Sequence, residues 1–122
     1  MITNPEHFAV ALAYDPAGDG APTLVAKGLD EVAFRMMDEA KKCGVHVFQA
    51  PPLARALYFT TKVGQTIPDK LFYATAQVIA YVFGLNSFNP HMAQPMPPEV
   101  EVPDDMVFDA NGVRENADRE AA

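Results

Sequence analysis

Thr23-Leu24-Val25-Ala26-Lys27, a glycine at Gly28, a helical repeat from Leu29 to Cys43, and then Val45-His46-Val47-Phe48-Gln49 decide the fold class. The two flanks are short, apolar and β-branched, as strands are. Between them Leu29, Val32, Ala33, Met36, Ala40 and Cys43 recur at helical spacing and form an expected buried stripe. Glu31 with Arg35 and Asp38 with Lys42 are i,i+4 pairs on the wet side. Lys41 and Lys42 complement the dipole in the last turn, and Gly44 stands where a helix ends. Strand, helix, strand implies a right-handed crossover and a parallel pair.

Outward from that unit, His7 to Tyr14 alternates without a break. Phe8, Val10, Leu12 and Tyr14 make a bulky face; His7, Ala9, Ala11 and Ala13 make a small one that lets a helix come close. Asp15-Pro16-Ala17-Gly18-Asp19-Gly20 is a turn, and its glycines lack phosphate-loop spacing. Downstream, Pro51-Pro52 opens a short helix over Leu53 to Thr60, with Pro52 suited to the first helical position. Pro68 opens another to about Phe83, stopped by Gly84, with Leu71, Phe72, Thr75, Val78, Ile79 and Val82 as its stripe. The expectation is an α/β fold: a small mixed β-sheet packed with helices over residues 1–88, followed by a disordered, acidic, Pro-rich tail over 89–122. Pro90, Pro95, Pro97, Pro98 and Pro103 crowd that tail.

The bulk numbers exclude several functions. The chain has 122 residues and a net charge of -7, of which the tail from Ala93 carries -6. The rest is near neutral, with no basic patch and interleaved aromatics to hold nucleic acid. A single cysteine, Cys43, rules out a disulfide framework and reads as a small buried hydrophobe. No apolar run is long enough to span a bilayer. His46 lies in a strand with no clustered Cys, Asp or Glu, so no metal is expected. No cofactor loop is present.

Just ahead of the alternating strand stands Asn4-Pro5-Glu6-His7. Asn-Pro is most often a turn, but it also has a chemistry of its own. Proline has no N–H, so the usual cyclisation of Asn4 through the next amide nitrogen is closed. What remains open is attack by the Asn4 carboxamide nitrogen on its own backbone carbonyl, which forms a succinimide and breaks the Asn4–Pro5 bond. A carboxamide is a poor nucleophile and must be held in an attack geometry. A positioned His7 supplies about 10²–10⁴-fold as proton carrier, and about 1–3 kcal/mol of backbone strain adds roughly 5–150-fold. Neither suffices alone, so folding should matter. Asn89-Pro90-His91, in the expected tail, is an internal control and should be inert.

Thr3-Asn4-Pro5-Glu6-His7-Phe8-Ala9-Val10-Ala11-Leu12 resembles the Asn-Pro-Thr-His cleavage segment of the FlhB/YscU family, the substrate-specificity switch proteins of type III secretion. The resemblance continues through Ala21-Pro22, Val25-Ala26-Lys27-Gly28, Pro51-Pro52-Leu53-Ala54-Arg55-Ala56-Leu57-Tyr58 and Val63-Gly64-Gln65-Thr66-Ile67-Pro68, in family order. It is closer to the flagellar branch. It implies a cytoplasmic domain of an inner-membrane protein that cuts itself once between Asn4 and Pro5, its pieces staying associated. The cut switches export from rod- and hook-type to filament-type subunits. Implied partners are the export-gate protein, a length-control protein and secreted substrates, with the domain itself monomeric.

The sequence departs from the family in two places. Glu6 replaces the usual Thr; its carboxylate stabilises the His7 imidazolium or competes for the proton, and the sequence leaves both open. Only Met1-Ile2-Thr3 stand before Asn4 where the family has a strand, so a cut should free a four-residue peptide with little to retain it. Pro51, Pro52 and Arg55 are candidate partner contacts, though Leu53 and Leu57 read as core, and Arg55 reads equally as a solvated helical residue. The competing readings are a non-cleaving interaction domain and a small α/β enzyme with His7 as base, which lacks a second placed nucleophile.

Overall fold

The computed structural model describes residues 1–4, 7–14, 21–86, 97–109 and 111–113. Four strands, β1 (Ile2–Asn4), β2 (Phe8–Ala13), β3 (Thr23–Leu29) and β4 (Phe48–Gln49), form one sheet in the order β3-β2-β1-β4. β1 pairs antiparallel with β2 and parallel with β4; β2 pairs antiparallel with β3. The helices are α1 (Glu31–Lys42), α2 (Pro51–Thr60) and α3 (Phe72–Asn86). The mixed sheet is as the sequence implies, but the parallel pairing is not. β3 and β4 run in the same direction, yet β2 and β1 lie between them. β3 and β1 flank β2, and β4 pairs with the outer side of β1, over two residues.

β1 is the middle of this sheet, short as it is. Ile2 and Thr3 are 2% and 1% exposed. On one side Ile2, Thr3 and Asn4 face Val10, Ala9 and Phe8. On the other, Phe48 N–H donates to Met1 O (2.8 Å) and Ala50 N–H to Thr3 O (2.9 Å). Burial of Ile2 alone contributes about 1.5–3 kcal/mol. The expectation that little retains residues 1–4 is therefore corrected: they are inserted between two strands.

The two faces of β2 take different partners, as its alternation predicts. Phe8 and Val10 enter the main core with Leu24, Leu53, Leu57, Leu71 and Val78, against α2 and α3. Ala9 is also fully buried and pairs with Gly28, on the α1 side. A Cβ at Gly28 would sit 2.7 Å from Val32 Cγ1 and 2.8 Å from Met36 Sδ. Such a small floor admits only the centre of the α1 stripe: Ala33 and Ala40 are buried and Met36 half-buried, while Val32 and Cys43 are exposed. Leu29 extends β3 opposite Phe8 instead of opening the helix. Cys43 is thus corrected from core residue to surface thiol.

Val45 to Val47 stand outside β4, which covers Phe48–Gln49 alone. α2 starts at Pro51, with prolines at its first two positions. Pro68 is extended and precedes a 3-10 turn, Asp69–Leu71, before α3 begins. α3 runs through Gly84 to Asn86; a helical glycine costs only about 1 kcal/mol. The link from α2 to α3 is stitched to β3, with Gly64 N–H donating to Leu24 O at 2.7 Å from a φ of 91° that favours glycine.

The tail expectation falls partly outside the described residues, and where residues 97–109 are described it is corrected. Met106 and Phe108 are 7% and 8% exposed and belong to the core, with Val100 and Val102 packed beside them. The Phe108 ring lies 5.8 Å from Phe59, and Lys70 pairs with Asp105. These few apolar residues among acids suffice because Phe59 and Arg55 on α2 receive Phe108. Phe108→Ala should lower unfolding free energy by about 3–5 kcal/mol in chemical denaturation; an unchanged midpoint would mean the segment is detached. Cys43 should react with a thiol reagent in the native protein as fast as a free cysteine, and slow labelling would show burial.

Candidate functional site

The turn from Asn4 to His7 joins β1 to β2, and the residues on either side of it are pinned. Upstream, Ile2 and Thr3 are buried in the sheet. Downstream, Phe8 is fully buried, its ring 5.0 Å from Tyr58 and 5.5 Å from Phe59 on α2. Asn4 is itself paired opposite Phe8, so three residues span the connection. Pro5 and Glu6 lie outside the described residues. The His7 N–H donates to Asn4 O at 3.0 Å. That oxygen belongs to the carbonyl of the Asn4–Pro5 bond. A donor aimed at it polarises the carbonyl and favours the oxyanion that forms on attack. Asn4 is half-buried, and the His7 side chain is about half exposed at 51%.

Asp30 also reaches His7, and the sequence reading does not single it out. Its carboxylate Oδ1 is 3.0 Å from His7 Nδ1, and its N–H donates to His7 O at 2.8 Å. The β2–β3 register accounts for both: Phe8 faces Leu29, so the next residues outward, His7 and Asp30, meet beyond the end of the ladder. In the sequence Asp30 falls inside the helical repeat that starts at Leu29, where an acid near the start only suits the helix dipole. Asp30 does flank α1, and Phe34 N–H donates to its carbonyl at 3.0 Å, yet its side chain makes no cap hydrogen bond. Its backbone has φ 50° and ψ -114°, the single non-glycine positive φ among the described residues. Such a conformation costs about 1–3 kcal/mol. A hydrogen bond between side chains 51% and 66% exposed returns about 0–1 kcal/mol.

The remaining candidates sit elsewhere. Pro51 and Pro52 are half-buried at the start of α2, which is tied to β1 through Ala50 N–H and Thr3 O. Arg55 Nε donates to Phe108 O at 2.7 Å, so this guanidinium holds the C-terminal segment. Leu53 and Leu57 are fully buried, as expected of core. Tyr14 is half-buried, 6.0 Å from Phe83. It lines two apolar cavities of about 240 and 350 Å³, neither of which includes Asn4 or His7. Burial holds the Met1 ammonium below the ordinary amino-terminal range; it donates to His46 O at 2.9 Å. Among the described residues no group of three or more His, Cys, Asp or Glu is placed to hold a metal. Likewise, no helix there is long and apolar enough to cross a membrane.

Residues 1–82 match the sequence pattern of the FlhB HrpN YscU SpaS Family. The chain is 40% identical over 110 residues to the flagellar biosynthetic protein FlhB of Salmonella typhimurium, covering 88% of this chain and 29% of that protein. It therefore spans under a third of that relative's length. The crystal structure of the cytoplasmic domain of FlhB from Shewanella putrefaciens superposes with a TM-score of 0.79 at 43% identity, covering 88% of this chain and 84% of that one. An EscU C-terminal domain with an asparagine-to-alanine mutation superposes with a TM-score of 0.62 at 30% identity, over 65% of this chain and 79% of that one.

Arg55→Ala should lower stability by about 1–3 kcal/mol and speed amide exchange over residues 107–109. Stability and exchange both left unchanged would return Arg55 to the role of a free surface contact.

Proposed function

The chain belongs to the FlhB HrpN YscU SpaS family, and from that premise we propose that it is the cytoplasmic switch domain of a flagellar-type protein export apparatus, whose chemistry is one intramolecular cut between Asn4 and Pro5. The Asn4 side-chain nitrogen attacks the Asn4 carbonyl carbon and loses a proton. The bond to the Pro5 nitrogen breaks, and that nitrogen gains a proton and leaves as the new amino terminus. The residue Asn4 ends as a succinimide. Asn4 is the nucleophile, His7 moves the proton, and Glu6 modulates His7. The domain turns over no other substrate.

One observation carries this reading: the His7 N–H bonded to the carbonyl oxygen that the reaction attacks, in a turn whose two sides are buried in one sheet. A relaxed Asn-Pro peptide has neither the donor nor the restraint. That EscU domains have been solved with an asparagine, or the proline that follows it, replaced fits the same focus.

In this reading, the parent protein is membrane-embedded and the domain works, as a monomer, on the cytoplasmic side of the bacterial inner membrane. Its partners are the export-gate protein, a length-control protein and secreted substrates, with Pro51 and Pro52 among the contacts. The switch domain runs over residues 1–88, with residues 97–109 as an appendage. The piece Met1–Asn4 stays in the sheet after scission.

Incubated without protease, the purified chain should lose the mass of Met1–Asn4 in denaturing mass spectrometry, and Asn4→Ala should stay whole. A wild-type chain still intact after days would overturn self-cleavage and leave a non-cleaving interaction domain that docks substrates and gate proteins. Scission persisting in Asn4→Ala would overturn the cyclisation.

A further inference from the structure

We propose that Asp30 is a positioning residue for the cut: its carboxylate holds His7 through Nδ1, fixes the imidazole tautomer, and leaves Nε2 as the nitrogen free to take and return the proton. This rests on the self-cleavage reading and adds to it a residue that lies 23 positions away along the chain from His7.

The tautomer follows from chemistry. A carboxylate only accepts hydrogen bonds, so the hydrogen of the 3.0 Å contact sits on His7 Nδ1. In the neutral ring Nε2 then carries the lone pair. Free imidazole would divide between its tautomers and turn about its side-chain bonds; the tie to Asp30 restrains both, as a carboxylate does for a catalytic histidine elsewhere. Asp30 also grips the His7 backbone, since its N–H donates to His7 O at 2.8 Å. The same His7 backbone carries the N–H that reaches Asn4 O. One residue thus sets both the ring and the amide of the proton carrier.

A merely structural role does not account for this arrangement. An aspartate at a helix start ordinarily folds its carboxylate back onto the first-turn amides. Asp30 makes no such bond and holds a positive φ that disfavours any side chain. Glycine would relax that backbone, but would forfeit the carboxylate. The contact is also too exposed to matter much for stability. What the aspartate adds is orientation.

The test compares self-cleavage rates of the wild-type chain, Asp30→Asn and Asp30→Gly by denaturing mass spectrometry, with melting temperature measured alongside. Asp30→Asn keeps the shape, and Asp30→Gly removes the unfavourable backbone. Both should cut about tenfold or more slowly, a share of the 10²–10⁴-fold expected of His7, while Asp30→Gly melts no lower than wild type. In an Asn4→Ala background, two-bond proton–nitrogen NMR should find His7 protonated at Nδ1, and Asp30→Ala should return it to the Nε2-protonated form usual in water. Rates within twofold of wild type, or a His7 already protonated at Nε2 with Asp30 present, would overturn the proposal. Should the wild-type chain fail to cut at all, the self-cleavage reading falls by itself, and the tautomer measurement still decides whether Asp30 orients His7.

Discussion

Three residues at the centre of the sheet carry the rest of the structure. Ile2, Thr3 and Asn4 pair with β2 on one side and lie along β4 on the other, so removing β1 would part the sheet into a hairpin and a loose edge. The hydrogen bond from Ala50 to Thr3 also sets where α2 starts, and α2 supplies the fully buried Leu53 and Leu57. A strand this short has little propensity of its own. It persists because both edges are paired and Ile2 is buried, and the chain is held rigid as far as Asn4.

That rigidity is what the proposed chemistry at Asn4 requires. Cyclisation of an asparagine onto its own carbonyl is slow because the attack geometry is rare and the leaving nitrogen needs a proton. Here the carbonyl oxygen already accepts the His7 N–H, and Phe8, wedged between Tyr58 and Phe59, fixes the far side of the turn. Asp30 reaches His7 because β2 and β3 are in a register that sets them opposite each other. The sheet that stabilises the domain is the same element that assembles the site.

The C-terminal segment makes a different point about composition. Acids and prolines outnumber apolar residues after Ala93, which reads as a solvated tail. Yet Met106 and Phe108 are buried, and Arg55 holds the Phe108 carbonyl. Composition averages over a window, whereas docking needs only a few side chains at the right spacing and a place to receive them. That place is made by α2, through Arg55 and Phe59, some fifty residues earlier in the chain.

Local patterns determined much of this protein. The alternation of β2, the prolines opening α2 and the small face that admits α1 are all legible because each depends on neighbours two to four residues apart. Tertiary structure decided what depends on distant partners. The β1–β4 pairing, the exposure of Cys43 and Val32, the burial of Met106 and Phe108, and the meeting of His7 with Asp30 all turn on which surfaces lie opposite one another. An aspartate between a strand and a helix carries the same local signal whether it caps the helix or turns to a histidine. Only the strand register, a long-range property of the packed sheet, distinguishes the two.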